Sequence, residues 1–167
     1  SRTAYAAKKG FNLTDWQTAG AGTVDKILIR YGEVLLIYAE AKYELEGSIS
    51  DADLNLTINA LRKRAGFDAL LTNAFVTANG LDMRDEIRRE RTVELALEGF
   101  RYDDLIRWKT AEIHLAGQLL GAKFKAEDWP GADPSTLRIN SDGVLITEDT
   151  NVRTFSPGRD YLYPVPL

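Results

Sequence analysis

Apolar positions recur at three- and four-residue steps from Val24 to Glu46, through Ile27, Tyr31, Val34/Leu35, Tyr38, Ala41/Lys42 and Leu45. This spacing predicts a long helix with that stripe as its inner face, stopped by Gly47. Ser50 or Asp51 is placed to cap a second helix that runs to about Ala65 and ends at Gly66, with Leu54, Ile58 and Leu61 facing inward. A short Gly/Ser/Asp link between two helices makes an antiparallel hairpin. Residues 67–80 read as a loop. Asp82 then opens a charged helix that Gly99 closes, and Phe100 to about Ala111 forms another short one. Upstream, residues 1–22 are Gly/Ala/Thr-rich and read as an irregular entry segment.

Beyond Leu120 the pattern changes to short β-prone runs broken by Gly, Pro and Asp. Leu137–Ile139 and Val144–Thr147 flank Asn140-Ser141-Asp142-Gly143, a hairpin turn signal. The tail YLYPVPL carries prolines that forbid a central strand, so it is expected to run extended. The reading is mainly α: TPR-like helical hairpins, then an irregular C-terminal region with a short β-hairpin. Residues 1–167 are taken as a single domain or fragment, helical over about 24–120 and irregular over about 121–167. Gly47, Ile49, Ala52, Leu56 and Asn59 fall near the positions where a tetratricopeptide-type repeat places its turn glycine and packing residues. The alternative is a generic helical hairpin.

Charge sharpens one element. In Arg84–Trp108, RDEIRRERTVELALEGFRYDDLIRW, a turn of roughly 100° per residue puts Met83, Ile87, Glu90, Glu94 and Leu97 on one side. Two carboxylates therefore lie within an apolar stripe, where an unpaired charge costs several kcal/mol, on the order of 3–5. Arg91, Arg101 and Arg107 are near in sequence and can pair with Glu90 and Glu94, and Arg30, Arg62 or Arg64 can tie the helix to the preceding hairpin. On this reading Leu97→Asp unfolds the helical core, whereas Asp142→Ala barely changes stability.

The remaining composition mostly removes possibilities. Of the 167 residues, 44% are hydrophobic and 28% charged, as in ordinary globular proteins. The net charge of −4 arises in residues 126–167, which hold 7 acidic and 3 basic side chains, so no basic patch points to nucleic acid. There is no cysteine, which excludes disulfides and thiolate metal sites. No apolar run approaches the roughly 18 residues of a membrane span. The opening SRTAYAAKKGFN has no initiating Met and reads as a cut in a longer protein or as a processed terminus.

Glu90, Glu94 and Glu98, one turn apart, have the spacing of a glycosidase acid/base pair. A general acid must keep its proton, however, and adjacent guanidinium groups favour the ionised form. Structural ion pairs are the expectation, and no catalytic residue is assigned. His114, the single histidine, makes a poor metal centre, and the Asp-rich turns lack calcium-loop spacing. No metal or cofactor is expected. Trp16, Trp129 and Tyr161 lie in loop-like segments and are weak aromatic candidates for ligand stacking, with core or interface packing the expected role of each.

Three motifs carry a family resemblance. They are IRYGEVLLIYAEAKYELEG at 29–47, IRRERTVELALEGFRYDDLIRW at 87–108 and RDYLYPVP at 159–166, supported by NALRKRAG at 59–66. In this order they resemble the SusD/RagB family of outer-membrane nutrient-binding lipoproteins. Gly32 departs from the commoner alanine, at about 1 kcal/mol of helix propensity, and Phe100 from a frequent histidine or asparagine. Family members are much longer, and the chain resembles only their C-terminal part.

The resemblance implies non-catalytic capture of a nutrient, most often a glycan and in some members a peptide, at the cell surface. It implies a SusC-like TonB-dependent transporter as partner, and an outer-membrane location through a lipid anchor outside this chain. The alternative function is a TPR-like adaptor that binds protein partners without carbohydrate recognition.

Overall fold

A computed structural model describes residues 6–18, 27–147 and 152–163. The chain divides into two compact units, residues 12–101 and residues 1–11 with 102–167, and each is described by itself.

The first unit opens with α1 (Leu13–Gln17), capped by Asn12, inside the stretch expected to be irregular. Helix α2 (Tyr31–Glu46) ends on Gly47 in the left-handed conformation, φ 68°, whose N–H reaches the Tyr43 carbonyl. Its start is later than the pattern predicts, because Ile27–Arg30 is not helical. Its buried face also differs from the predicted one. Gly32, Leu35, Leu36, Ala39 and Glu40 point inward, while Tyr31, Val34, Tyr38 and Leu45 are exposed. The helix is apolar on both sides, so spacing alone does not choose. The small Gly32 and Ala39 allow close approach on the face that packs.

Helix α3 (Asp51–Leu56) is capped as expected: the Ser50 hydroxyl accepts from the Asp53 N–H at 3.0 Å. The single expected helix is broken at Thr57, φ −113° and ψ −95°, and resumes as α4 (Ile58–Arg64). Leu54, Ile58 and Leu61 are buried as predicted, whereas Leu56 and Ala52 of the repeat pattern are exposed. Buried Asn59 clamps the following segment, accepting from the Leu71 N–H at 2.7 Å and donating to the Leu71 carbonyl at 2.9 Å. Within the expected loop lies α5 (Asn73–Ala78), six residues capped by Thr72 and anchored inward by Val76. Its β-branched and Asn content hid it, since such residues are weak helix formers.

Helix α6 (Met83–Glu94) starts at Asp82, which accepts from the Asp85 N–H at 3.1 Å. It stops at Glu94 and a turn leads to Gly99, so the expected extension to Gly99 does not form. The Glu98 N–H bonds to the Leu95 carbonyl, while the Glu94 carbonyl is taken by Arg30 Nη2 at 2.6 Å. Leu97, expected inside, is 76% exposed with φ +66°. The core joins Leu36 and Ala39 of α2, Leu54, Ile58 and Leu61 of the broken pair, Leu71, Val76, Met83 and Ile87 of α6, and Leu95.

In the second unit the expected Phe100–Ala111 helix is two, α7 (Arg101–Arg107) and α8 (Ala111–His114). They are separated near Lys109, φ +56°. Leu105 and Ala111 are buried. The Asn140–Gly143 turn forms: Asn140 Oδ1 accepts from the Asp142 and Val144 N–H groups, and Gly143 takes φ +77°. Its first arm makes only an isolated bridge, Ile139 to Leu145. The strand partner of β2 (Val144–Ile146) is instead β1 (Leu120–Lys123), antiparallel, with Leu120 opposite Ile146 and Lys123 opposite Val144. The offset changes by one residue between those pairs, which marks a bulge. A last short helix, α9 (Pro157–Asp160), precedes Tyr161–Tyr163, and Pro164–Leu167 of the tail lie outside the described residues.

Two outcomes follow from these placements. Ile87→Ala, at a site 1% exposed, is expected to cost about 2–5 kcal/mol. Leu97→Asp should stay within about 0.5 kcal/mol of wild type, and comparable Tm losses for the two would refute the burial pattern. At Asp53, hydrogen bonds from the Ser50 and Tyr38 hydroxyls hold the carboxyl below its ordinary range. A depressed folded-state pKa gives stability present above the unfolded value and lost as pH falls through the folded one. Asp53→Asn should therefore lower Tm at neutral pH and flatten its decline in acid.

Candidate functional site

The charged face of α6 is where sequence and chemistry converge. Glu90, with a side chain 16% exposed, accepts from Arg62 Nη2 at 2.5 Å. Arg62 is itself buried in α4, donates to the Ala69 carbonyl at 2.8 Å and stacks over the Phe67 ring at 5.5 Å. One turn on, Glu94 Oε1 accepts from Arg30 Nη1 at 2.5 Å and from Arg64 Nη2 at 2.7 Å. Arg30 then grips Glu98 with two nitrogens, Nε to Oε2 at 2.7 Å and Nη2 to Oε1 at 2.8 Å. This fork-on-fork contact is the strongest form of the ion pair. It is the main reason the Arg30 pKa is raised, against the opposing cost of burial, with Glu94 adding to it.

Further pairs fasten α6 to α2. Buried Arg91 lies 3.9 Å from Glu40 and over the Phe100 ring at 5.5 Å. Glu44 is met by Arg84 at 2.9 Å and Arg88 at 3.5 Å. Glu86 is paired with Arg89 on the same helix.

Of the residues singled out in sequence, Glu90, Glu94 and Arg91 share this face. Arg101 donates to the Thr92 hydroxyl at 2.7 Å, and Arg107 pairs with buried Asp104 within α7 at 2.9 Å. The partners of Glu90 and Glu94 described above come from Arg30, Arg62 and Arg64, distant in sequence. These are the three arginines that the sequence offers for tying the charged helix to the preceding hairpin, and Glu98 joins Glu90 and Glu94 as their partner.

The aromatic candidates separate. Trp16 sits on α1 and is exposed. Trp129 is half-buried after a single 3-10 turn at Ala126–Asp128. Tyr161 is engaged: its hydroxyl accepts from the Ala111 N–H at 3.1 Å, Phe155 packs edge-on at 4.9 Å, and Lys109 Nζ lies 4.2 Å from its ring centre. His114 is exposed at the end of α8. Among the described residues no group of three or more His, Asp or Glu side chains is arranged to hold a metal ion. No described helix is long and apolar enough to cross a membrane.

The SusD family (SusD_RagB) profile matches residues 1–167. The chain belongs to the SusD family. It is 31% identical over 144 residues to SusD-like protein P2 of Formosa agariphila, covering 84% of this chain and 22% of that protein. It is also similar to a solved SusD-like carbohydrate binding protein of Bacteroides fragilis, with TM-score 0.66 and 32% identity over 83% of this chain and 26% of the other. A second SusD-like structure from the same species gives TM-score 0.58 and 30% identity over 89% of this chain and 24% of the other. The chain thus spans about a quarter of the length of these relatives. Its fold is that of the family: mainly α, with TPR-like hairpins and a small antiparallel sheet.

The brace predicts a contrast. Glu90→Ala leaves the guanidinium of Arg62 buried without its carboxylate and should cost about 3–5 kcal/mol. Arg64, 61% exposed, should lose less than about 1 kcal/mol as Arg64→Ala. Equal losses in denaturant melts would show that burial does not set the value of these pairs.

Proposed function

We propose that the chain is the C-terminal part of a longer SusD-like protein that captures a glycan at the outer face of the outer membrane. It delivers the glycan to a SusC-like TonB-dependent transporter and performs no chemistry on it. The observation that carries this reading is the family match along all of residues 1–167, joined to a relative described as a carbohydrate binding protein. The geometry is consistent with a binding role. The carboxylates that most resemble an acid/base pair are occupied by arginines and serve to hold α2, α4 and α6 together. A lipid anchor outside this chain would hold the protein at the membrane.

Trp129 and Trp16 are the candidates for stacking on a sugar ring, and Trp16 is the more exposed of the two, at 75%. Tyr161 is the weakest of the three, since its hydroxyl and ring already have partners. The exposed apolar side of α2, with Tyr31, Val34, Tyr38 and Leu45, favours a second reading of the same fold as a surface for protein contacts.

Affinity electrophoresis of the longer parent protein through polysaccharide gels tests the glycan reading. At least one glycan should retard it, and Trp16→Ala or Trp129→Ala should weaken retardation by roughly tenfold, about 1.4 kcal/mol, without moving Tm. An outer-membrane barrel should co-purify. No retardation on any polysaccharide, with a protein partner still captured, would favour the adaptor reading.

A further inference from the structure

Helix α8 (Ala111–His114) has four residues, too few for a helix to hold itself in water. Its N-cap residue does not cap it. Thr110 makes no side-chain bond to the helix, and its Oγ1 is buried with no hydrogen-bond partner among the described residues. The elbow before α8 is unfavourable as well. The Thr110 N–H reaches the Leu105 carbonyl at 3.1 Å and the Lys109 N–H reaches the Ile106 carbonyl at 3.2 Å. This pattern closes α7 around a left-handed residue, a place that favours glycine. Here the residue is Lys109, φ +56°. Local sequence thus accounts for neither the elbow nor α8.

The C-terminal segment meets both. The Tyr161 hydroxyl accepts from the Ala111 N–H at 3.1 Å, supplying at the helix start the acceptor that Thr110 does not. The same ring carries Lys109 Nζ at 4.2 Å from its centre, and Phe155 packs edge-on against it at 4.9 Å. Past the other end of α8, Gly117 and Arg153 exchange main-chain hydrogen bonds at 2.8 and 3.1 Å. Between these two attachments the segment is stiffened by α9, where the Asp160 carboxylate accepts from the Ser156 N–H at 2.7 Å.

We propose that residues 153–161 are a strap that holds α8 at both ends, so that strap and helix open and close as one unit. Tyr161 is its clasp, and the left-handed Lys109 is the hinge on which the unit turns.

The test is residue-resolved hydrogen exchange by NMR on the 167-residue chain, read at the Ala111, Leu115 and Gly117 amides. These donate to Tyr161, to Ala111 and to Arg153 respectively. Tyr161→Phe keeps the ring and deletes the hydroxyl. It should speed exchange at Ala111 by roughly threefold to tenfold, the worth of one hydrogen bond, and at Leu115 and Gly117 by a similar factor. Tyr163→Phe, the same change at a tyrosine 74% exposed, should move none of the three. Ile87 in α6 should exchange at the wild-type rate in both variants. Faster exchange at Ala111 alone would overturn the proposal, because α8 would then stand without the strap. Unchanged exchange at all three amides would overturn it too, as would acceleration that extends to Ile87.

Discussion

An ionised carboxylate largely withdrawn from water must be met by a cation, or its burial outweighs what the surrounding apolar contacts supply. Helix α6 presents several such groups toward its neighbours rather than toward solvent. Glu90 and Glu94 are about one-seventh exposed, and each is answered by a guanidinium from another element. The order of the fold follows from that requirement. Arg62 must sit on the inner face of α4, Arg30 at the mouth of α2, and Arg91 must turn back to Glu40. Apolar burial by Leu36, Ile58 and Ile87 brings the helices together, and the paired charges select one alignment among the many that greasy faces permit.

The same requirement explains why α6 stops where it does. Arg30 takes the Glu94 main-chain carbonyl that another helical turn would have used, and the chain turns through Leu97 and Gly99 with positive φ. Glu98 is thereby placed on the guanidinium next to Glu94. Two carboxylates around one arginine hold the shape firmly, and a rigid scaffold fixes the position of the loops it carries.

What was legible in the sequence was local. Ser50 and Asp82 as caps and Gly47 as a stop depend on neighbours within one turn, and the structure places them accordingly, whereas the break of the second helix at Thr57 was not legible. The Asn140–Gly143 turn was legible for the same reason. The inner face of α2 was not, because Tyr31–Val34–Tyr38–Leu45 and Leu35–Leu36–Ala39 are both apolar stripes, and only the partner helices decide between them. Leu97 was misplaced because its helix ends on a tertiary hydrogen bond. Strand β1 was missed because its partner lies more than twenty residues away. The pairing of Arg30 with Glu94 and Glu98 was open to reasoning about charge, but its geometry shows only in three dimensions.

Cooperation among α2, α4 and α6 is the central claim, and native-state hydrogen exchange followed by mass spectrometry measures it most directly. Peptides spanning 31–46, 58–64 and 83–94 should exchange with one shared opening free energy, and 83–94 should be protected as strongly as 31–46. Fast exchange across 83–94 while 31–46 stays protected would contradict the account, since it would mean that the paired charges do not bind these helices into one unit.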